Sequence, residues 1–136
     1  MIKLNIDILF QYLYFVTRLY IPSVSNQKKI KQLIECIPFF LPTQKDQQLI
    51  FEIIKENSIV NYYDTTDHMV SYGYIIYETY HIRKKITYLD MDKYLKHYDY
   101  ILFLSDQEKE LTRKKNMGII IFIIIVIICI YFIYAT

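Results

Sequence analysis

Tryptophan is absent from this sequence of 136 residues, glycine and cysteine occur twice each, and proline three times. Gly73 and Gly118 stand too far apart to form a Walker-type loop, a G-x-G-x-x-G fingerprint or a G-x-S-x-G elbow, which excludes the enzymes built on those turns. Cys36 falls in a predicted helix and Cys129 inside an apolar run. The pair therefore offers neither a disulfide framework nor metal-ligand spacing, and each reads as a small apolar side chain. His68, His81 and His97 lack a cysteine or carboxylate at ligand spacing, so no metal is expected. The formal net charge of +2 is too small to suggest nucleic acid as a partner. The missing tryptophan, set beside abundant Ile, Tyr and Lys, points to an AT-rich genome. The first twenty residues carry Asp7 and Gln11 within their apolar run, which suits an amphipathic helix better than a signal peptide.

Hydrophobic residues make up 54% of the chain, and much of that excess sits in one block, 117–136. Between Gly118 and Tyr134 there is no charge, and ten positions are Ile. About twenty residues at roughly 1.5 Å each reach about 30 Å, the hydrocarbon thickness of a bilayer. A spanning segment must satisfy its backbone internally, and a helix does so. Met117, Gly118, Ile119 and Ile128 are expected within the span, with Tyr131 and Tyr134 at its far interface. Arg113, Lys114 and Lys115 precede it and predict that the N-terminal domain faces the cytoplasm. The expected topology is single-pass and tail-anchored, with insertion after translation.

The remainder reads as all-α, a four-helix bundle with a short fifth helix. A first helix is predicted from about Asn5 to Tyr20, with Leu9, Leu13, Val16 and Tyr20 at helical spacing, stopping before Pro22. Ser25 or Asn26 is expected to cap a second, carrying Ile30, Leu33, Ile34 and Ile37 and ending near Pro38. Thr43 should cap a third, with Asp46 near its positive end and Leu49, Ile50, Ile53 and Ile54 buried. Thr65 or Asp64 should cap a fourth, bearing the stripe Met69, Tyr72, Ile76 and Tyr80 as far as Lys84. A short fifth helix follows Asp90, from Met91 to Tyr98. The predicted division is a bundle over 1–104, a polar and basic stalk over 105–116, and an anchor over 117–136.

The order and spacing carry a resemblance. Leu41-Pro42-Thr43-Gln44-Lys45-Asp46, then a helix closing on Lys55-Glu56-Asn57-Ser58, then Tyr62-Tyr63-Asp64-Thr65-Thr66-Asp67, resembles the Erv/ALR family of FAD-linked sulfhydryl oxidases. Members read L-P-C-x-x-C, then K-E-N-P-I, then a segment like Y-L-D-S-R-D. The following helix matches the family's W-x-x-x-x-H-N-x-x-N helix in length. Phe10, Tyr14 and Tyr20-Ile21-Pro22 stand where members carry W-x-x-x-H and Y-P. The likeness spans roughly Leu9 to Tyr98.

The departures matter more for function. The resemblance places Thr43 and Asp46 at the redox cysteines, and neither side chain can replace a thiol pair. It places Phe10, Tyr14, Tyr72 and Tyr77 at the flavin-lining positions, and Glu78 and His81 at the asparagines on the adenosine side. A carboxylate such as Glu78 opposes a ligand carrying two phosphates. The resemblance thus implies a catalytically inactive, sulfhydryl-oxidase-like scaffold without cofactor, its large aromatics filling the pocket. It also implies a virion or infected-cell membrane, since small anchored members occur in large DNA viruses, and a homodimer through the first helix, with Leu9, Leu13 and Val16 as its face. Two alternatives stand beside it: an FAD-binding oxidoreductase that uses a partner's thiols, and an unrelated tail-anchored adaptor. Tyr62, Tyr63, Tyr72, Tyr74, Tyr77, Tyr80 and Tyr88 form the surface on which a protein partner is expected, alongside the bilayer.

Overall fold

A computed structural model describes residues 6–135, the Ser105 side chain excepted. It is all-α: five α-helices and two short 3-10 turns, with no strand among the described residues. The expected start at Asn5 and the last anchor residue, Thr136, lie outside the described residues. Two compact units divide at Tyr98 and Asp99.

In the first unit, α1 (Ile6–Arg18) buries Phe10, Leu13, Tyr14 and Thr17, one face at spacings of three and four. The inward stripe is thus rotated from the one read in the sequence: Leu13 and Tyr20 are inside, while Leu9 and Val16 are half-buried. The cap of α2 (Val24–Cys36) is Ser23, not Ser25 or Asn26. Ser23 Oγ accepts the Asn26 N–H at 3.1 Å, and the Asn26 amide turns back to donate to the Ile21 carbonyl at 2.9 Å. A 3-10 turn, Ile37–Phe40, follows directly. Thr43 caps α3 (Gln44–Glu56), accepting the Asp46 N–H at 3.2 Å, and α3 buries Ile50 and Ile53. After a second 3-10 turn, Ile59–Tyr62, Thr65 caps α4 (Thr66–Lys84) by accepting the His68 N–H at 3.1 Å.

Helix α4 is the centre of the bundle. It buries Met69, Val70, Tyr72, Gly73, Ile76, Tyr77, Tyr80 and His81, packing most extensively on α1 and also on α3. Gly73 is where α1 comes closest: a Cβ there would lie 3.1 Å from Thr17 Oγ1 and 3.2 Å from its Cγ2. The helix ends on Lys85 in the left-handed conformation (φ 56°), where the Ile86 N–H returns to the His81 carbonyl at 3.0 Å. Asp90 then caps α5 (Met91–Ala135), accepting the Lys93 N–H at 2.9 Å. The first turns of α5 bring Tyr94 and Tyr98 into the bundle core.

The second unit is the rest of α5. Asp99 to Asn116 contains neither proline nor glycine, so nothing in it stops a helix, and α5 continues past the Tyr98 end read from the sequence. No backbone break marks residue 104 or residue 116. Its C-terminal part is long and apolar enough to cross a membrane, and every side chain from Met117 to Ala135 is exposed.

Candidate functional site

The positions that the resemblance assigns to a flavin pocket fall into separate ring clusters. Phe10, at 0% exposure, meets Tyr77 edge-on with centroids 5.3 Å apart, Tyr80 at 5.2 Å and His81 at 5.3 Å. One turn further along α1, Tyr14 stacks on Tyr98 at 5.3 Å and meets Tyr94 edge-on at 5.3 Å. Tyr77 joins the groups, lying 4.9 Å from Tyr94 and 4.2 Å from His81. The edge-on pairs among them, Phe10–Tyr77 and Tyr14–Tyr94, have the geometry in which aromatic quadrupoles attract. Tyr72 projects elsewhere: five residues before Tyr77 on α4, it meets Tyr62 at 5.1 Å and donates to the Asn57 carbonyl at 3.1 Å. Glu78 is half-buried, and His81 is buried with Nδ1 on the Tyr77 carbonyl at 2.7 Å. Of the four rings, then, Phe10 and Tyr77 touch each other, Tyr14 packs on the α5 tyrosines, and Tyr72 stands apart.

Thr43 and Asp46 are brought together, in a polar clasp. Thr43 Oγ1 donates to Asp46 Oδ2 at 2.8 Å, while Tyr80 Oη at 3.0 Å and Lys84 Nζ at 2.8 Å reach Asp46 Oδ1. Burial pushes the Asp46 carboxyl up, but the hydrogen bonds from Lys84, Thr43 and Tyr80, with the charge of Lys84, outweigh it and hold the group below the usual carboxylate range. Beside it Arg83 pairs with Glu56 and, at 3.9 Å, with Glu52. The clasp joins the start of α3 to the end of α4 and contains no thiol.

Tyrosine hydroxyls hold the loops. Tyr74 Oη donates to the Leu89 carbonyl at 3.0 Å and Tyr77 Oη accepts the Leu89 N–H at 3.0 Å, so two rings satisfy both backbone groups of one residue. Tyr20 Oη donates to the Tyr63 carbonyl at 2.9 Å, and Thr66 returns a bond to the Tyr20 carbonyl at 2.8 Å. Burial raises the phenols of Tyr72, Tyr80 and Tyr94, and with the charges of Tyr77 and Asp7 it pushes Tyr98 up to about 12. Tyr94 Oη, fully enclosed, has no hydrogen-bond partner among the described residues. Much of the tyrosine-rich face expected outside is therefore inside: Tyr72, Tyr77 and Tyr80 are buried, Tyr62, Tyr63 and Tyr74 half-buried, and Tyr88 exposed.

Exposed apolar surface lies elsewhere. On α1, Ile8 and Tyr12 face outward, as does Leu19 just after it, whereas Leu13, expected at a dimer face, is enclosed in its own core. Around the first 3-10 turn, Phe39 and Phe40 project, and Phe39 and Phe51 wall a groove of about 550 Å³ floored by Ile34 and Ile59. Sequence reasoning passed over this corner, though six apolar residues in a row, Ile37 to Pro42, were a visible signal. Cys36 is exposed at its edge and Cys129 on the apolar part of α5. Among the described residues no cluster of His, Cys, Asp or Glu could hold a metal. Arg113, Lys114 and Lys115 lie exposed on α5 before Met117, Gly118, Ile119, Ile128, Tyr131 and Tyr134. No protein-family model matches the chain, and no match was found among curated proteins or among solved structures.

Proposed function

We propose that this protein is a membrane-anchored, non-catalytic helical bundle that serves as a scaffold or interaction module, displayed on the cytoplasmic side by the apolar end of α5. The observation that carries this reading is that apolar end: every side chain from Met117 to Ala135 is exposed, in a segment long enough to cross a bilayer. Support for the non-catalytic part comes from the Thr43–Asp46 clasp and from the packing of Phe10 on Tyr77 and of Tyr14 on Tyr98. On this reading the chain is a degenerate relative of the Erv/ALR bundle, and a virion or infected-cell membrane is its setting. A homodimer would use the exposed stripe Ile8, Tyr12 and Leu19 rather than Leu13.

The test is the visible absorbance of the purified full chain in detergent, with and without added FAD. A colourless, helical protein that leaves FAD unbound on gel filtration is the expected result. A flavin band co-eluting with the protein would replace this reading with partner-assisted thiol oxidation.

A further inference from the structure

Phe39 and Phe40 are the most exposed large apolar side chains of the bundle among the described residues, at 76% and 80%. Their backbone is well seated: Ile37 and Pro38 before them and Leu41 after them are buried, and the Leu41 N–H closes the turn on the Pro38 carbonyl at 3.3 Å. The sequence thus fixes a short turn at both ends and leaves two adjacent phenyl rings standing in water. A soluble surface tolerates single exposed apolar residues, but adjacent rings of this size mark a contact.

The charge beside the turn says what kind. Helix α2, which leads into it, carries exposed Lys28, Lys29 and Lys31 against one carboxylate, Glu35, which lies 3.9 Å from Lys31. On the other flank, exposed Lys45 stands in the first turn of α3, whose Asp46 is held by Lys84 and whose Glu52, on the same groove as Phe39, lies 3.9 Å from Arg83. Apolar rings projecting beside several lysines match the boundary between acyl chains and anionic headgroups. We propose that the Phe39–Phe40 tip is a second membrane contact, inserting at the surface of an anionic bilayer with Lys28, Lys29 and Lys31 on the headgroups. The inference rests on the anchored reading above, since a tethered bundle meets the bilayer at high effective concentration and a few weak contacts then suffice.

The chain has no tryptophan, so F40W and, in a separate protein, F122W are single fluorescent reporters for the tip and the apolar segment. Each full-length variant is reconstituted into vesicles of phosphatidylcholine, alone or mixed with phosphatidylserine, with brominated acyl chains as quenchers. Far-UV circular dichroism checks that each is folded. F122W emission quenched in both lipids, and F40W emission quenched more strongly with phosphatidylserine, are expected. Raising the salt concentration should release the tip, and K28E/K29E/K31E should do the same, by roughly fivefold in the docked-to-free ratio per lysine lost. Quenched F122W with water-like F40W on anionic vesicles would overturn the tip contact and leave the anchor standing. A blue-shifted but unquenched F40W would overturn it in favour of a protein surface, such as a second copy. Loss of quenching at both positions would sink the anchored reading itself, and this inference with it.

Discussion

Asp46 receives three donors at once, from Thr43, Tyr80 and Lys84, and shows how single residues tie this fold together. Its folded carboxyl is held below the ordinary value, so the charged form is favoured by folding. The sign follows: its contribution is complete above the unfolded pKa of about 4 and disappears as pH falls through the lower folded value. Asp46→Ala should cost about 1–3 kcal/mol at neutral pH, since it leaves Tyr80 and Lys84 without their acceptor. Chemical denaturation of the full chain in detergent measures this, and the gap between wild type and Asp46→Asn should narrow on acidification. A gap independent of pH would remove the charge from the explanation. Thr43 was legible as a cap because it stands alone before a clear apolar period, whereas for α4 the sequence left Thr65 and Asp64 both open. Ser23 was not legible, because Ser25 and Asn26 offer equal chemistry. The choice among them is settled by Asn26 turning back to Ile21, a contact no spacing rule encodes.

At the scale of elements, the four-helix order was legible from period alone, as the α4 stripe shows; in α3 the period found Ile50 and Ile53, while Leu49 and Ile54, also expected inside, are half-buried. What period could not give was which way α1 turns. Leu9, Leu13 and Val16 and the observed Phe10, Leu13, Tyr14 and Thr17 are both plausible helical faces, and contact with α4 decides between them. Aromatic partners separated by more than sixty residues, such as Phe10 and Tyr77, were equally invisible to local pattern. Gly73 is the point of closest approach of α1 and α4, and the Thr17 hydroxyl there is tied to the Tyr14 carbonyl at 2.9 Å. Gly73→Ala gains about 0.5–1 kcal/mol of helix propensity but crowds Thr17, so little net change in stability is expected. Gly73→Val should cost about 1–3 kcal/mol through overpacking. Thr17→Ala should free the gain, making Gly73→Ala stabilising in that background. A double-mutant cycle by thermal denaturation checks it, and strict additivity of the two changes would show that the helices do not press together here.

For the molecule as a whole, the balance of the apolar segment can be weighed. Each Ile at the centre of a span contributes about −0.3 to −0.6 kcal/mol to insertion, while one Lys there costs about 2.5–3.5 kcal/mol. The ten Ile between Gly118 and Tyr134 together contribute about 3–6 kcal/mol, against about 2.5–3.5 for one central lysine and about 5–7 for two, so one lysine weakens insertion and two bring the balance to zero or past it. On the anchored reading, Ile124→Leu should leave the chain in the membrane fraction after alkaline extraction, and Ile124→Lys should weaken retention. The pair Ile124→Lys and Ile127→Lys should release it. Helix propensity gives no competing account, because Lys is a better helix former in water than Ile. A released double variant that keeps the helical signal and denaturation midpoint of the bundle would show that the lysines act on insertion alone. Retention of that variant in the membrane would mean that something other than this apolar helix holds the protein there, with the Phe39–Phe40 corner the first place to look.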